Sequence, residues 1–228
     1  MSKIKWIIFG LVSIGIVAGL VVYSNNTTKN TGISDSVDAY AVQAASDSNG
    51  KIADHVYNDN DSKVVLIEYG DYQCPGCASF NPTIEKIAEE YKDKIKYIFR
   101  NYLLSYHANS KAAAAAAESA GLQGKYWQAH KKIYATQSEW EYLNSNERTE
   151  YFISLAKNLS LDTTKFAEDM ASAAISDKIA YDASLATKSK LSSTPAFYLN
   201  GSPVDSATWG DEDKLRALLD DKIEELNK

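Results

Sequence analysis

The segment VVLIEYGDYQCPGC, residues 64–77, decides how this chain folds. It joins an apolar, β-branched run, typical of a buried strand, to a Cys-Pro-Gly-Cys motif that opens a helical pattern reaching Tyr91. Pro75 suits the first helical position, where its missing N–H has no intrahelical partner, so Cys74 falls at the N-cap. The backbone N–H groups and the dipole at this helix end favour a thiolate on Cys74. Cys77 lies one turn further along the same face, so one sulfur can attack and the other resolve.

The motif contains the only two cysteines of the chain, and such a pair suits a structural disulfide, a metal site or reversible redox exchange. A structural disulfide would close so small a loop that it constrains the unfolded chain little. A zinc site needs two further ligands, and His55, His107 and His130 are scattered without ligand spacing. We therefore expect reversible redox chemistry carried by the cysteine pair, with no metal and no bound cofactor. A structural disulfide is the main alternative.

The N-terminus is typical of a membrane segment. Trp6 to Tyr23 is a run of 18 residues without a charge, and as a helix it would span roughly 27 Å. Lys3 and Lys5 precede it, so the positive-inside rule places the start of the chain in the cytoplasm and the rest outside. We expect residues 1–23 to form a cytoplasmic stub and an uncleaved anchor. The alternative is a signal peptide cut after Ser24, and either segment exports the domain to a place where disulfides persist.

Residues 24–50 are rich in Ser, Asn, Thr, Asp and Gly, a composition that predicts a flexible linker between the anchor and a folded domain. The whole chain has a formal net charge of −6. Because no broad basic surface is expected at this charge, nucleic acid is excluded as an expected partner.

From residue 51 onward the hydrophobic periodicity changes from that of strands and one helix to a purely helical block, and then back to strands. Residues 95–99 predict a second strand, which a right-handed crossover makes parallel to the first. Patterns from about 105 to 189 are all helical. Residues 196–204 predict a hairpin around an Asn-Gly turn, and residues 213–227 predict a final amphipathic helix. The order βαβ, helical block, ββα predicts an α/β domain that contains an all-helical insertion.

Two segments resemble the DsbA-like thiol-disulfide oxidoreductases. EYGDYQCPGC, residues 68–77, is similar to the active-site segment of that family, and STPAFYLNG, residues 193–201, is similar to its cis-proline loop and following strand. The resemblance covers roughly residues 51–228. It implies a thioredoxin-like α/β fold with an inserted all-helical domain, preceded here by the N-terminal transmembrane helix. Gly76 departs from the best-known members, which have histidine there, so a smaller lowering of the cysteine pKa is expected.

The resemblance also implies roles for individual side chains. Cys74 would be the exposed sulfur that forms mixed disulfides, and Cys77 the buried resolving partner. Pro195 would be the cis-proline that faces the disulfide, and the backbone of Thr194 would hold a client peptide laid alongside. Glu68 stands where the family often has a buried acid that exchanges protons with the second cysteine, and burial would raise its pKa. The alternative for Glu68 is a solvated charge at the end of a strand.

Further substrate contacts are expected from residues next to the sulfurs. Pro75 and Gly76 lie within the motif, and Tyr72 and Phe80 flank it. Packing within the core or on the surface is the alternative for the two aromatic side chains. His107 is assigned no role.

The sequence therefore predicts an exported, membrane-tethered thiol-disulfide oxidoreductase that introduces disulfides into reduced client proteins through Cys74 and Cys77. A membrane partner would reoxidise the pair. We expect a monomer. Related isomerases carry a dimerisation domain, and the tether here is too polar to be one, which favours an oxidase. Two alternatives stay open: a disulfide reductase or isomerase, and a non-catalytic binding module whose disulfide is structural.

Overall fold

The computed structural model describes residues 33–34 and 36–228 of the chain. The predicted transmembrane segment, Trp6 to Tyr23, and the first part of the predicted linker lie outside these residues. Within the described part, no helix combines the length and the apolar character needed to cross a bilayer.

The described residues form a five-stranded mixed sheet in the spatial order β1-β3-β2-β4-β5. The strands are β1 (Val56–Tyr57), β2 (Val65–Gly70), β3 (Lys96–Asn101), β4 (Ala196–Leu199) and β5 (Ser202–Val204). Strands β2 and β3 are parallel, as the crossover rule predicts, and β4 and β5 form the predicted antiparallel hairpin. Asn200 and Gly201 both have positive φ in its turn, which explains the strength of the Asn-Gly signal. Strand β1 was not predicted, since two residues are too few to show a periodicity.

Helices follow the strands in the predicted order. They are α1 (Pro75–Glu90), α2 (Ser110–Gly121), α3 (Tyr126–Ala135), α4 (Gln137–Trp140), α5 (Ser145–Asn158), α6 (Thr163–Met170), α7 (Ala173–Lys188), α8 (Ser206–Trp209) and α9 (Glu212–Leu226). Helix α1 connects β2 to β3, so its N-terminus and the cysteine motif lie at the carboxyl end of β2. The predicted helical block contains α2 to α7, and the alanine run from 112 to 117 lies within α2.

The two faces of the sheet are covered by different helices. Leu66 and Tyr97 pack with side chains of α1 and α9 on one face. Ile67 and Ile98 pack against the second half of α7, including Leu185, on the other. The first half of α7 belongs to the core of the inserted helices. The predicted insertion therefore ends too late, because helical periodicity cannot show that the second half of α7 is a layer of the sheet.

The segment 36–50, predicted to be flexible linker, packs against the domain. The backbone N–H of Gln43 donates to the Asp54 carboxylate over 2.8 Å, and the Asp54 N–H donates to the Gln43 carbonyl. The buried guanidinium of Arg100 donates to two backbone carbonyls of this segment. A polar composition predicted exposure, but polar groups are stable inside a protein when each finds a hydrogen-bond partner. The folded unit thus begins earlier than predicted.

Candidate active site

The cysteine motif has the predicted backbone geometry. Cys74 is the N-cap of α1, with φ −71° and ψ 121°, and Pro75 occupies the first helical position. The Cys74 N–H donates to the carbonyl of Asp71 over 2.9 Å, which fixes the turn between β2 and the helix. The sequence predicts an exposed sulfur at Cys74, but this residue keeps only 7% of its accessible surface and Cys77 keeps none. The difference arises because the loop before β4 lies directly over Cys74.

The two thiols differ strongly in acidity. The pKa of Cys74 is lowered to about 5, first by the hydrogen bond that the Cys77 thiol donates, then by Thr194 and by the backbone N–H groups of Cys77 and Gly76. Burial raises the pKa of Cys77 far above its ordinary range, and the neighbouring Cys74 and Glu68 raise it further. The pair therefore contains one thiolate at neutral pH and one thiol that keeps its proton. Hydrogen bonds at the helix N-terminus lower the Cys74 pKa without the histidine that Gly76 replaces.

The loop before β4 brings a cis peptide bond to the sulfur. The Thr194–Pro195 bond is cis, as predicted. The Cys74 thiol lies 3.6 Å from the Thr194 carbonyl oxygen. A Cβ placed on Gly76 would lie 3.6 Å from Pro195 Cδ and 3.7 Å from Cys74 Sγ, so Gly76 lies next to both the cis-proline and the sulfur. The Thr194 hydroxyl is buried and has no hydrogen-bond partner of its own among residues 33–34 and 36–228, so it is available to a thiolate on Cys74.

Glu68 lies inside the protein, so its alternative reading as a solvated strand-end charge is wrong. Glu68 keeps only 2% of its accessible surface, and its carboxylate accepts a hydrogen bond from the Tyr97 hydroxyl over 2.5 Å. Burial raises the pKa of Glu68 to about 7; the hydrogen bond from Tyr97 opposes that shift, and the charge on Cys74 adds to it. A carboxyl group with such a pKa can both accept and release a proton at neutral pH.

Tyr72 does not line a substrate surface, and that prediction is wrong. Its side chain is fully buried, and its ring packs against Phe99 and Tyr134. Its hydroxyl lies 2.9 Å from Nδ1 of His130, and Nε2 of the same imidazole lies 3.0 Å from Asn81 Oδ1. The strand ends two residues earlier, and the turn directs this ring into the core. By contrast, Pro75 and Gly76 are exposed to solvent beside the sulfurs.

Asp71 was not singled out from the sequence, yet it organises the loop before the motif. Its carboxylate is fully buried and accepts from the backbone N–H groups of Gln73 and Leu104, at 2.8 and 2.7 Å. It also accepts from the Ser110 hydroxyl and lies 2.9 Å from His107 Nδ1. The useful signal was present in the sequence: an acidic residue directly after an apolar strand must find donors if it is buried.

The inserted helices brace the motif from the other side. Gln137, the first residue of α4, donates from Nε2 to the Tyr72 carbonyl over 2.7 Å and to the Cys74 carbonyl over 3.2 Å. Gln73 donates to the Glu141 carbonyl and accepts from the Asn109 N–H. Sequence reasoning could not find these side chains, because they are 36 to 68 positions apart from the residues they contact.

Each of the three histidines contacts polar side chains of its own neighbourhood. His55 pairs with Glu118, His107 with Asp71, and His130 with Tyr72 and Asn81. Burial lowers the pKa of His130 to about 3, so this imidazole is neutral. The histidines hold elements together.

A family model described as thioredoxin matches residues 51–221. BdbD from Bacillus subtilis, in its oxidised form, has the same fold, with a TM-score of 0.65 and 24% sequence identity. That match covers 81% of this chain and 98% of BdbD. A variant of alpha-DsbA1 from Wolbachia pipientis matches with a TM-score of 0.64 and 25% identity over 75% of this chain and 91% of that one.

The curated relatives are longer proteins. A Na(+)/H(+) antiporter NhaA 1 of Salinispora arenicola is 34% identical over 149 residues, which are 65% of this chain and 22% of the antiporter. The chain thus spans about a fifth of the length of the curated relatives it matches. The similarity concerns one part of those proteins.

Proposed function

From its membership of the thioredoxin family, in the DsbA-like form, we propose that this chain is a protein thiol-disulfide oxidoreductase. It would donate its Cys74–Cys77 disulfide to reduced client proteins. The observation that carries the proposal is the division of acidity between the two sulfurs. Cys74 is a thiolate at neutral pH, while Cys77 is a buried thiol beside a carboxyl group that can exchange its proton. A disulfide with only a structural role needs neither feature.

The low pKa of Cys74 favours the oxidase direction. A group whose pKa is lowered from 9.0 to about 5 stabilises the reduced folded protein at high pH, and this stabilisation is lost as the pH falls through 5. At pH 7 this stabilisation amounts to about 3 kcal/mol. Stabilising the reduced form makes the disulfide more oxidising, by about 60 mV for this contribution. Cys74 is also a good leaving group for the same reason.

The exchange proceeds in two displacements. A client thiolate attacks Cys74 Sγ, the Cys74–Cys77 bond breaks, and Cys77 leaves with the electron pair and receives a proton from Glu68. A second client thiolate then attacks the client sulfur of the mixed disulfide, and Cys74 leaves as a thiolate. The client loses two electrons and gains a disulfide, while the cysteine pair is reduced. Pro195 and Thr194 border the sulfur that is attacked, where an extended client segment would lie alongside.

Equilibration of the purified domain with glutathione tests the proposal. We expect a reversible transition between the dithiol and the disulfide, at a potential well above that of thioredoxin, about −270 mV. Absorbance of the thiolate in the reduced domain should show a midpoint near pH 5, following the Cys74 pKa. A potential near that of thioredoxin would indicate a reductase. A disulfide that does not exchange at all would indicate a binding module and refute the proposal.

We further propose that the domain works outside the cytoplasm, anchored by the apolar segment Trp6 to Tyr23, as a monomer reoxidised by a membrane partner. Support comes from the sequence, since that segment has no charge over 18 residues and two lysines precede it. Full-length protein in the membrane fraction of cells is the expected result. Mature protein that begins after Ser24 would instead indicate a signal peptide.

A further inference from the structure

The hydroxyl of Tyr97 is the hydrogen-bond donor to the buried carboxylate next to the cysteine pair. It lies 2.5 Å from Glu68 Oε2, and within residues 33–34 and 36–228 it is the hydrogen-bond partner of that side chain. Tyr97 pairs with Leu66 in the parallel register of β2 and β3, two residues before the partner of Glu68. Residues two apart on a strand lie on the same face. Tyr97 therefore reaches Glu68 diagonally across the sheet.

The ring of Tyr97 is buried and packs against an aromatic neighbour, which fixes the position of its hydroxyl. Tyr97 is 2% exposed, and Trp127 of α3 lies against its ring with centroids 5.3 Å apart. Tyr57 of β1 pairs with Tyr97 across the sheet and packs edge-on against Trp127 at 5.2 Å. The contact to Trp127 means that the inserted helices take part in holding the donor.

Among the described residues, the other titratable groups that interact with Glu68 are thiols and phenols, and none of them is a cation. Cys74, at the N-cap of α1, raises the pKa of Glu68, and the Glu68 charge in turn raises the pKa of Cys77, Tyr72 and Tyr134. Glu85 of α1 acts on Tyr97 from further away. Tyr97 is thus the group that favours the ionised form of the carboxyl. Burial and the nearby carboxylates raise the pKa of Tyr97 well above 10, so it stays a hydrogen-bond donor over the working pH range.

We propose that Tyr97 is a positioning residue for proton transfer: its hydroxyl holds the Glu68 carboxyl in place and keeps it able to take the proton of Cys77. This inference rests on the proposed function. In the resolving step, Glu68 accepts the Cys77 proton, the resulting thiolate attacks Cys74 Sγ, and the sulfur group bound to Cys74 leaves with the electron pair. Tyr97 keeps its own proton throughout and donates its hydrogen bond to the carboxylate. Without this donor, burial alone would hold the proton on Glu68.

An aromatic disulfide reagent that releases a coloured thiolate separates the two steps. Added in excess to the reduced domain, it reacts first with Cys74 and releases one equivalent. The attack of Cys77 on the mixed disulfide then releases the second. In Tyr97→Phe, we expect the pH midpoint of the second phase to rise by about one unit and its rate at pH 7 to fall about fivefold, since fewer Glu68 carboxyls are ionised. The rate of the first phase should change less than twofold.

Tyr134→Phe is the matched control. Tyr134 is also a buried phenol near Glu68 and Cys77, but its hydroxyl has no hydrogen-bond partner among the described residues. This variant should keep the pH midpoint of the second phase. In a Glu68→Gln background, Tyr97→Phe should have no further effect on the pH profile. Equal shifts in Tyr97→Phe and Tyr134→Phe, or a shift that persists in that background, would overturn the inference.

Incorporation of 3-fluorotyrosine at position 97 covers the case in which Tyr97→Phe does not fold. Fluorine makes the phenol a stronger donor with little change in volume, so the midpoint should move to lower pH, opposite to the shift in Tyr97→Phe. The pH midpoint at which the carboxyl ¹³C chemical shift of Glu68 titrates should also move to lower pH. A native protein that never releases the second equivalent would refute the proposed function. Normal release with a midpoint that neither substitution moves would refute the inference alone.

Discussion

Asp54 and Glu68 are two buried carboxyls of the same domain with opposite electrostatic surroundings. Asp54 is paired with Arg100 over 2.6 Å and with Lys178 over 3.0 Å, both of which are buried. Burial would raise the pKa of Asp54, but Lys178 and Arg100 together lower it to about 2. Glu68 has a hydroxyl as its partner in place of a cation, and burial raises its pKa to about 7.

The same fold therefore contains one carboxylate that stabilises the structure and one carboxyl group that can take part in proton transfer. A buried carboxylate with two cations stays ionised at every working pH, so it can hold elements together but cannot move a proton. Asp54 does this between the first residues of the domain, β3 and α7. A buried carboxyl without a cation titrates near neutrality and can serve the cysteine pair. The same burial has different consequences because the partners differ.

The largest effect should come from the cysteines themselves. Cys74→Ser removes the thiolate and should reduce exchange with clients to background, with no mixed disulfide trapped. Cys77→Ser leaves the attacking sulfur without its resolving partner, so mixed disulfides should accumulate. Non-reducing gels of both variants after incubation with a reduced client measure the difference. Equal trapping by the two variants would contradict the assigned roles of the sulfurs.

Asp54→Asn should separate stability from chemistry. It leaves the buried Arg100 without its carboxylate partner, while Lys178 keeps its pair with Asp182 at 2.7 Å, so the free energy of unfolding should fall by about 3 kcal/mol. Denaturant unfolding measures this, and thiolate absorbance should still give the Cys74 pKa of the native protein. Glu225→Gln is the control, because Glu225 forms an exposed pair with Lys222 and should change stability by less than about 1 kcal/mol. A strong change in the Cys74 pKa would mean that the two regions are coupled.

Glu68→Gln should give the reverse result, with slower chemistry and no loss of stability. Loss of the proton acceptor should slow the attack of Cys77 on a mixed disulfide about 100-fold. An acid whose pKa is raised from 4.5 to about 7 binds its proton more tightly in the folded protein, so the native domain loses stability as the pH rises through this interval. Removing the acid should therefore stabilise the domain at pH 8, by up to about 3 kcal/mol. Identical pH dependence of unfolding in both proteins would show that Glu68 does not titrate there.

Tyr72→Phe should have the smallest effect of the series. It removes a buried hydroxyl that contacts His130, so the free energy of unfolding should fall by about 1 kcal/mol. Rates toward a client protein and toward glutathione should both stay within twofold of the native protein, since the ring lies in the core. A loss of rate toward the client protein alone would indicate that Tyr72 contacts the client, contrary to its burial in the core.

The sequence predicted those parts of the fold that local patterns control. The apolar run into the Cys-Pro-Gly-Cys motif predicted β2 and the start of α1, and the Asn-Gly turn predicted the hairpin of β4 and β5. The resemblance to the DsbA-like family predicted the cis bond before Pro195 and an acid at Glu68. Prediction failed where long-range pairing decides: the two-residue strand β1, the second half of α7, and the packed segment 36–50.

The sequence by itself determined that two cysteines stand at a helix N-terminus, because strand periodicity, proline preference and residue spacing are local properties. Only the tertiary structure decided which buried groups can react. Tyr97 lies next to Glu68, and Arg100 and Lys178 next to Asp54, through contacts between residues 29 to 124 positions apart. A pKa depends on burial and on neighbours in space, and neither can be read along the chain. The chemistry of this site is therefore a property of the folded domain.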